Sequence, residues 1–381
     1  MKALVIGLGI SGRGAAKLLL KNGYDVIAVD QKPQEMEGVK VLPESAEIEE
    51  VDLTILSPGI SKDHPQAKVR EVIGEAELAM RMLKNRAIGI TGTNGKTTLT
   101  LLLTHILKHA GIKARALGNV GTSIAEYACN PDPDELLVIE LSSYQLETMT
   151  TRGFDYGIIT NISPDHLDRY DSFDDYKKTK YRLRDLIKEG TIFDEDSYLQ
   201  LTENERYWQI QCDYLLRAAW ATSQKLGISW EIFLEGIKTF QRPPHRMERV
   251  RVLNGITFIN DSKGTNTQAV LYGLSQLKGP VLLIAGGKGK GETFEKWKEP
   301  FQEKVRKVFA IGETAAELKE KLENVTVCNS LKEAVDEAYR ASEKGETILL
   351  SPGAASFDQF QSYEERGKKF KEYVKKLKEK P

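Results

Sequence analysis

The sequence predicts an α/β protein of three successive domains, and three observations predict it. Short β-branched runs alternate with stretches of helical spacing along nearly the whole chain. Two glycine-rich turns, at residues 7–12 and 89–98, each stand between such a run and a helical stretch. A Pro-Pro step in Gln241-Arg242-Pro243-Pro244-His245 then separates those two units from a third series of runs. The 381 residues suffice for three cores, and the expected domains are 1–84, 85–242 and 243–381.

Taken in order, Lys2–Ile6 reads as a strand, Gly7–Gly12 as a turn, Arg13–Asn22 as a helix and Tyr24–Val29 as a second strand ending at Asp30. Val51–Leu56 is a further strand, stopped by Ser57-Pro58-Gly59, and helical stretches lead on to about Lys84. The second unit opens with the strand Ala87–Thr91, a glycine loop and an apolar helix from Thr97 to Ala110. Leu136–Leu141 and Tyr156–Asn161 are apolar runs suited to a parallel sheet. Residues 165–189 are charged and helical, 190–210 carry no regular pattern, and helices are expected near Leu215–Leu226 and Trp230–Phe240. Beyond the linker, Val281–Ala285, Val305–Ile311 and Thr347–Ser351 are strands with helices between them. The Lys/Glu-rich residues 364–380 read as a last helix with a solvated face.

Composition narrows the function. Lys and Arg number 54 against 55 Asp and Glu, a formal net charge of -1, which argues against nucleic acid held by bulk charge. A local basic pocket for an anionic metabolite remains open. Cys129, Cys212 and Cys328 lie far apart, so neither a disulfide framework nor a zinc knuckle is expected. The first twenty residues run into strand and helix patterns rather than a cleavage site, and no stretch approaches the length of a membrane span. A soluble, cytoplasmic, monomeric protein with no membrane or nucleic-acid partner is the expectation.

The sharpest chemical signal is Gly89-Ile90-Thr91-Gly92-Thr93-Asn94-Gly95-Lys96-Thr97-Thr98. Glycines let backbone N–H groups face phosphates, and the N-terminus of the following helix adds a positive dipole. Lys96 would reach the β- and γ-phosphates, and the Thr97 hydroxyl would ligate Mg²⁺. The spacing departs from the usual phosphate loop, since Gly92 and Gly95 are only three apart.

The first glycine turn, Gly7-Leu8-Gly9-Ile10-Ser11-Gly12, fits a dinucleotide fingerprint, with Asp30 standing 18 residues beyond Gly12. A nicotinamide dehydrogenase is therefore one reading, and a purely structural turn is another. The favoured reading is a Rossmann-like domain that holds a nucleotide diphosphate belonging to the substrate, because hydride transfer has no use for a second phosphate loop.

Further along, Glu140-Leu141-Ser142-Ser143-Tyr144-Gln145-Leu146-Glu147 and Asn161-Ile162-Ser163-Pro164-Asp165-His166-Leu167-Asp168 each follow a strand, where carboxylates and a histidine can reach a metal on the neighbouring loop. Lys180 by composition is a solvated helix lysine.

The form Gly92-Thr93-Asn94-Gly95-Lys96-Thr97-Thr98 resembles the Mur ligase and folylpolyglutamate synthetase superfamily. These enzymes make an acyl phosphate from a carboxylate and ATP, which an amine then attacks. Glu140–Glu147, Asp165–Asp168, Arg242–Arg246, Asn260–Asn266, Leu350–Phe360 and Tyr363–Gly367 are similar to the D-glutamate-adding branch of that family. The resemblance implies a P-loop-type ATPase in the middle, Rossmann-like domains on either side, and a ligase that joins D-glutamate to UDP-N-acetylmuramoyl-L-alanine in peptidoglycan synthesis.

It further implies that Gly92, Thr93, Asn94, Gly95, Lys96, Thr97 and Thr98 bind ATP, with Arg246, Asp261 and Lys263 beside the nucleotide. Thr97, Glu147 and His166 would ligate magnesium, and a carbamylated Lys180 would serve a second ion. Ser11, Asp30, Gln31 and Lys32 would face the uridine end of the substrate and Asn119 its muramoyl part, Ser57 would also bind substrate, and His245, with Arg246, would lie at the hinge beside nucleotide and substrate. Lys290, Ser356 and Tyr363 would hold D-glutamate. Where the family carries a His-Asn pair and a later Asn for adenine, this chain reads Gln209-Ile210-Gln211-Cys212-Asp213-Tyr214-Leu215-Leu216-Arg217. The stretch before it is also short, so a contracted central sheet is expected. A homologue that binds nucleotide without turnover and a sibling ligase adding another amino acid are the competing readings. Tyr144 and Tyr363 stand for the family's phenylalanines, and Gln31-Lys32 for its Thr-Arg.

Overall fold

Strands whose residues are β-branched and apolar on both faces must be covered on both faces, and the computed structural model builds three sheets on that rule. It describes residues 1–67, 71–165, 169–201, 210, 213–289, 291, 294–302 and 304–380. The chain divides into two compact units, Met1–Phe240 and Gln241–Pro381. The first unit holds two of the sheets.

The first sheet is all parallel, in the order β3-β2-β1-β4-β5. Its strands are β1 (Lys2–Ile6), β2 (Asp25–Asp30), β3 (Val39–Pro43), β4 (Leu53–Leu56) and β5 (Val72–Gly74). Helix α1 spans Ile10–Lys21 and α2 spans Glu75–Met82. The helix starts inside the expected turn. A Cβ on Gly12 would lie 1.9 Å from the Gly7 carbonyl oxygen, so only glycine lets the first helical turn settle on the strand end.

The second sheet is also parallel, ordered β10-β9-β6-β8-β7. It comprises β6 (Ala87–Thr91), β7 (Ala114–Gly118), β8 (Leu136–Glu140), β9 (Tyr156–Ile159) and the two-residue β10 (Ile192–Phe193). Its helices are α3 (Lys96–His109), α4 (Ile124–Ala128), α5 (Ser143–Leu146), α6 (Phe173–Tyr181), α7 (Glu195–Leu201), α8 (Tyr214–Lys225) and α9 (Trp230–Thr239). One apolar cluster runs from Ala3 and Val5 through Ala15 and Ala125 to Ile139 and Phe154, so both sheets share a core. The charged stretch 165–189 is helical only from Phe173, and a 3₁₀ turn over Arg182–Leu186 follows α6.

The second unit pairs β11 (Glu248–Leu253) antiparallel with β12 (Ile256–Asn260), a hairpin the sequence did not announce. The sheet continues with β13 (Val281–Gly286), β14 (Val305–Ile311), β15 (Val325–Val327) and β16 (Thr347–Leu350), in the order β11-β12-β16-β13-β14-β15. Helices α10 (Thr267–Ser275), α11 (Lys298–Gln302), α12 (Ala315–Lys321), α13 (Leu331–Ala341) and α14 (Tyr363–Lys376) surround it. Among the charges of α14, Arg366, Gly367, Phe370 and Val374 form a buried stripe, so its face is only partly solvated. Among the described residues no helix is long and apolar enough to cross a membrane.

Candidate active site

In open parallel sheets the crevice for a ligand lies at the carboxyl ends of the strands, where the strand order reverses. In the second sheet that point falls between β6 and β8. Thr91 ends β6, Lys96 begins α3, and the loop between them turns through Gly92 at φ 134° and Gly95 at φ 84°. A Cβ on Gly92 would stand 2.0 Å from the Thr160 hydroxyl, so the loop conformation admits no other residue.

The neighbouring strand end pins the loop. The Thr93 N–H donates to the Asn161 carbonyl at 2.7 Å and the Asn94 N–H to Asn161 Oδ1 at 3.1 Å. The Thr160 hydroxyl donates to the Asn94 carbonyl at 2.7 Å. Lys96 Nζ folds back and donates to the carbonyls of Gly92 and Thr93, both at 2.9 Å.

Strand register brings a carboxylate to this loop. Glu140, the last residue of β8, lies opposite Ile90. Its Oε1 accepts from the Thr97 hydroxyl at 3.1 Å and from Asn119 Nδ2 at 3.3 Å. Glu140 is 1% exposed, and its buried Oε2 has no hydrogen-bond partner among the described residues. A buried carboxylate oxygen left unpaired is costly, and it points to a missing positive group.

Lys180 is not the solvated lysine its composition suggests. It is 2% exposed, with Nζ 3.4 Å from the Thr91 hydroxyl and 5.3 Å from the centre of the Tyr176 ring. Burial first, and then the Lys96 charge, hold its pKa well below the usual lysine value, against the pull of Asp165 and Glu140. The setting beneath the phosphate loop therefore favours the uncharged form of this amine.

Other expected residues sit elsewhere. Glu147, seven residues beyond the strand end, caps α5, and its carboxylate accepts from Arg169 Nη2 at 3.0 Å and from the Tyr170 hydroxyl at 2.6 Å. The residue that sequence reasoning left without a role is Glu140, and the signal was its place as the last residue of an apolar strand. His166 and Lys290 lie outside the described residues.

The first sheet assembles Ser11, Asp30, Gln31, Lys32 and Ser57 at its own strand ends. Asp30 accepts from the Leu8 N–H at 2.7 Å and from the Lys32 N–H at 2.8 Å, and these two bonds lower its pKa. Oδ2 therefore braces the glycine turn, and Oδ1 the chain just beyond β2. The Ser57 hydroxyl donates to the Gly7 carbonyl at 2.7 Å. Ser11 lies in the first turn of α1, and Gln31 and Lys32 are exposed.

In the second unit His245 is 5% exposed and adopts φ 63°. Its N–H donates to Glu248 Oε2 at 2.9 Å, and its Nδ1 lies 2.8 Å from Asn260 Nδ2. Burial lowers its pKa, which keeps the ring neutral. Arg246 is half-buried beside it. Asp261 is buried, accepting from the Ser351 hydroxyl at 2.7 Å and the Met247 N–H at 3.2 Å, and burial raises its pKa to about 7. Lys263 Nζ stands 4.0 Å from the centre of the Tyr363 ring, and Ser356 is 3% exposed.

Comparison with known proteins fits this arrangement. Residues 90–210 match the Mur ligase middle domain, and residues 245–353 match the Mur ligase glutamate ligase domain. A UDP-N-acetylmuramoylalanine–D-glutamate ligase of Protochlamydia amoebophila is 39% identical over 435 aligned residues, covering 99% of this chain and 98% of that protein. One of the same name from Aquifex aeolicus is 37% identical over 417 residues, covering 98% of each. Both alignments are longer than the 381 residues of the chain, so the relatives carry internal residues that it lacks. A MurF ligase from Thermotoga maritima in complex with ADP superposes with a TM-score of 0.61 at 15% identity, over 98% of this chain and 95% of that one. A pseudomurein peptide ligase type C from Methanothermus fervidus gives 0.60 at 18%, over 99% and 100%. The fold is therefore shared with ligases of distant sequence, and by its sequence relatives this chain belongs to the Mur ligase family.

Proposed function

We propose that this chain is an ATP-dependent ligase that joins D-glutamate to UDP-N-acetylmuramoyl-L-alanine through an acyl phosphate. The observation that carries the proposal is the meeting of Lys96, Thr97, Glu140 and a buried Lys180 at the ends of β6 and β8. A dehydrogenase has no use for that group of residues.

The residues fit a magnesium nucleotide. The Thr97 hydroxyl and the orphaned Glu140 Oε2 are hard oxygen donors beside a phosphate loop, which suits Mg²⁺ completed by nucleotide oxygens. Glu140 would thus join Glu147 among the candidate ligands. When bound, the ion offsets phosphate charge and fixes the γ-phosphate.

Around it, Gly92–Thr98 would cradle the triphosphate, with Lys96 exchanging its two loop carbonyls for phosphate oxygens. Lys180 suits carbamylation, because burial favours the neutral amine, which can add to carbon dioxide and release a proton to give an anion able to serve a second ion. Residues 1–84 would hold the uridine end of the substrate, 85–242 the ATP, and 243–381 the amino acid through Lys290, Ser356 and Tyr363. The alanyl carboxylate attacks the γ-phosphorus and ADP leaves. The D-glutamate amine, having lost a proton, then attacks the acyl carbon and phosphate leaves.

The test is phosphate release with ATP, magnesium, UDP-N-acetylmuramoyl-L-alanine and a panel of D- and L-amino acids. Turnover that requires both the nucleotide substrate and D-glutamate is expected. Turnover with another amino acid makes the chain a sibling ligase, and nucleotide binding without turnover makes it an inactive homologue.

A further inference from the structure

Arg366, on the first turns of α14, is 1% exposed. Its Nε donates to the Ser262 hydroxyl at 3.0 Å, and its Nη2 donates to the Ser262 carbonyl at 2.9 Å and the Ala354 carbonyl at 3.2 Å. Its Nη1 donates to the carbonyls of Ala354 at 3.2 Å and Ala355 at 3.1 Å. Every acceptor is neutral, and among the described residues no carboxylate forms an ion pair with this guanidinium. Burial lowers its pKa to about 10 against the opposing pull of Asp358, so it stays charged at neutral pH. A buried charge whose hydrogen-bond partners are all neutral is costly to hold.

Its position shows what it holds together. Ser262 belongs to the loop after β12, which leads into Lys263, and Ala354 and Ala355 to the loop after β16, which leads into Ser356. Ala355 bridges Lys288 of the loop after β13, the loop that continues to Lys290, and a Cβ on Gly287 there would meet Arg366 Nη1 at 3.1 Å. One guanidinium therefore joins the loop after β12 to the loop that carries Ser356, one helical turn along α14 from Tyr363, and lies against the loop after β13.

We propose that Arg366 is the positioning residue that makes this site select an acidic amino acid, by tying the three loops together and lending them a positive charge that the ligand's carboxylates neutralise. The inference rests on the reading of Ser356 and Tyr363 as the amino-acid site. The same field disfavours an ammonium, so it also eases loss of the proton that the attacking amine must give up.

The test compares Arg366→Gln, Arg366→Lys and Ser356→Ala in the full chain. Arg366→Gln is expected to raise the KM for D-glutamate on the order of tenfold, as removal of one charge from a partly shielded site should. The KM for ATP and the kcat at saturation should change far less. The preference for D-glutamate over D-glutamine should narrow by the same factor, and Arg366→Lys should recover most of it near pH 7. Because a buried lysine loses its proton more readily, the preference in Arg366→Lys should also fall as pH rises, while that of the unaltered chain stays flat. This second reading stands even if Arg366→Gln does not fold. A lowered kcat with an unchanged preference, or a flat pH profile in Arg366→Lys, overturns the proposal. If Ser356→Ala raises the D-glutamate KM while the Arg366 variants leave the preference intact, only this inference falls. If Ser356→Ala also leaves it intact, the amino-acid site itself is misassigned.

Discussion

Replacing Glu140 by glutamine should raise stability and lower nucleotide affinity at once. Oε1 has two donors, Thr97 and Asn119, which a glutamine carbonyl can keep. Oε2 has none among the described residues. Converting a buried, unpaired charged oxygen to a neutral amide removes part of a desolvation penalty of several kcal/mol per ion and leaves about 1–3 kcal/mol for the amide. A net gain of about 1 kcal/mol corresponds to roughly 2–4 °C in the melting temperature of a unit the size of Met1–Phe240. Magnesium and ATP at about a hundred times Kd would stabilise the unaltered chain by about 2.7 kcal/mol. A tenfold weaker Kd in the variant takes away about 1.4 kcal/mol of that. The order of the two melting temperatures should therefore invert between nucleotide-free and nucleotide-saturated samples, read by differential scanning calorimetry. A variant that melts lower without nucleotide, or that keeps the full shift with it, refutes the role given to Glu140.

Other perturbations follow from the same geometry. Lys96→Ala should abolish ATP turnover while circular dichroism shows the fold kept; unchanged turnover removes the phosphate-loop assignment. Lys180→Ala should lose activity and regain part of it when short carboxylates are added in place of the carbamate, whereas full activity without them would return Lys180 to a packing role. Asp261, buried with a pKa of about 7, binds its proton more tightly folded than unfolded. Its contribution to stability is therefore present at low pH and is lost as pH rises from about 4 to about 7. Asp261→Asn should flatten the pH dependence of urea unfolding across that window, and an unchanged slope would show that Asp261 does not titrate there.

What the sequence made legible follows burial. Ala87–Thr91 and Val305–Ile311 are strands with the expected bounds because their apolar runs lie deep in parallel sheets. Val39–Pro43 and Glu248–Leu253 were missed because they are edge strands, half exposed, whose mixed pattern resembles a loop. The phosphate loop could be read locally, since its chemistry is carried by adjacent residues. Glu140 could not, because its meeting with Thr97 is made by strand register across 43 positions. Lys180 was hidden for a related reason: a helix of charged residues says nothing about which one the fold turns inward. Arg366 stood in a motif already singled out, yet only the positions of Ser262, Ala354 and Ala355 reveal what it holds.

The central claim is that the loop from Gly92 to Thr98 grips a triphosphate for transfer of its terminal group. Isothermal titration of folded protein with ATP and magnesium, run at two temperatures, tests it most directly. Saturable binding to a single site, lost in Lys96→Ala, is the predicted result. No binding heat at either temperature would contradict it.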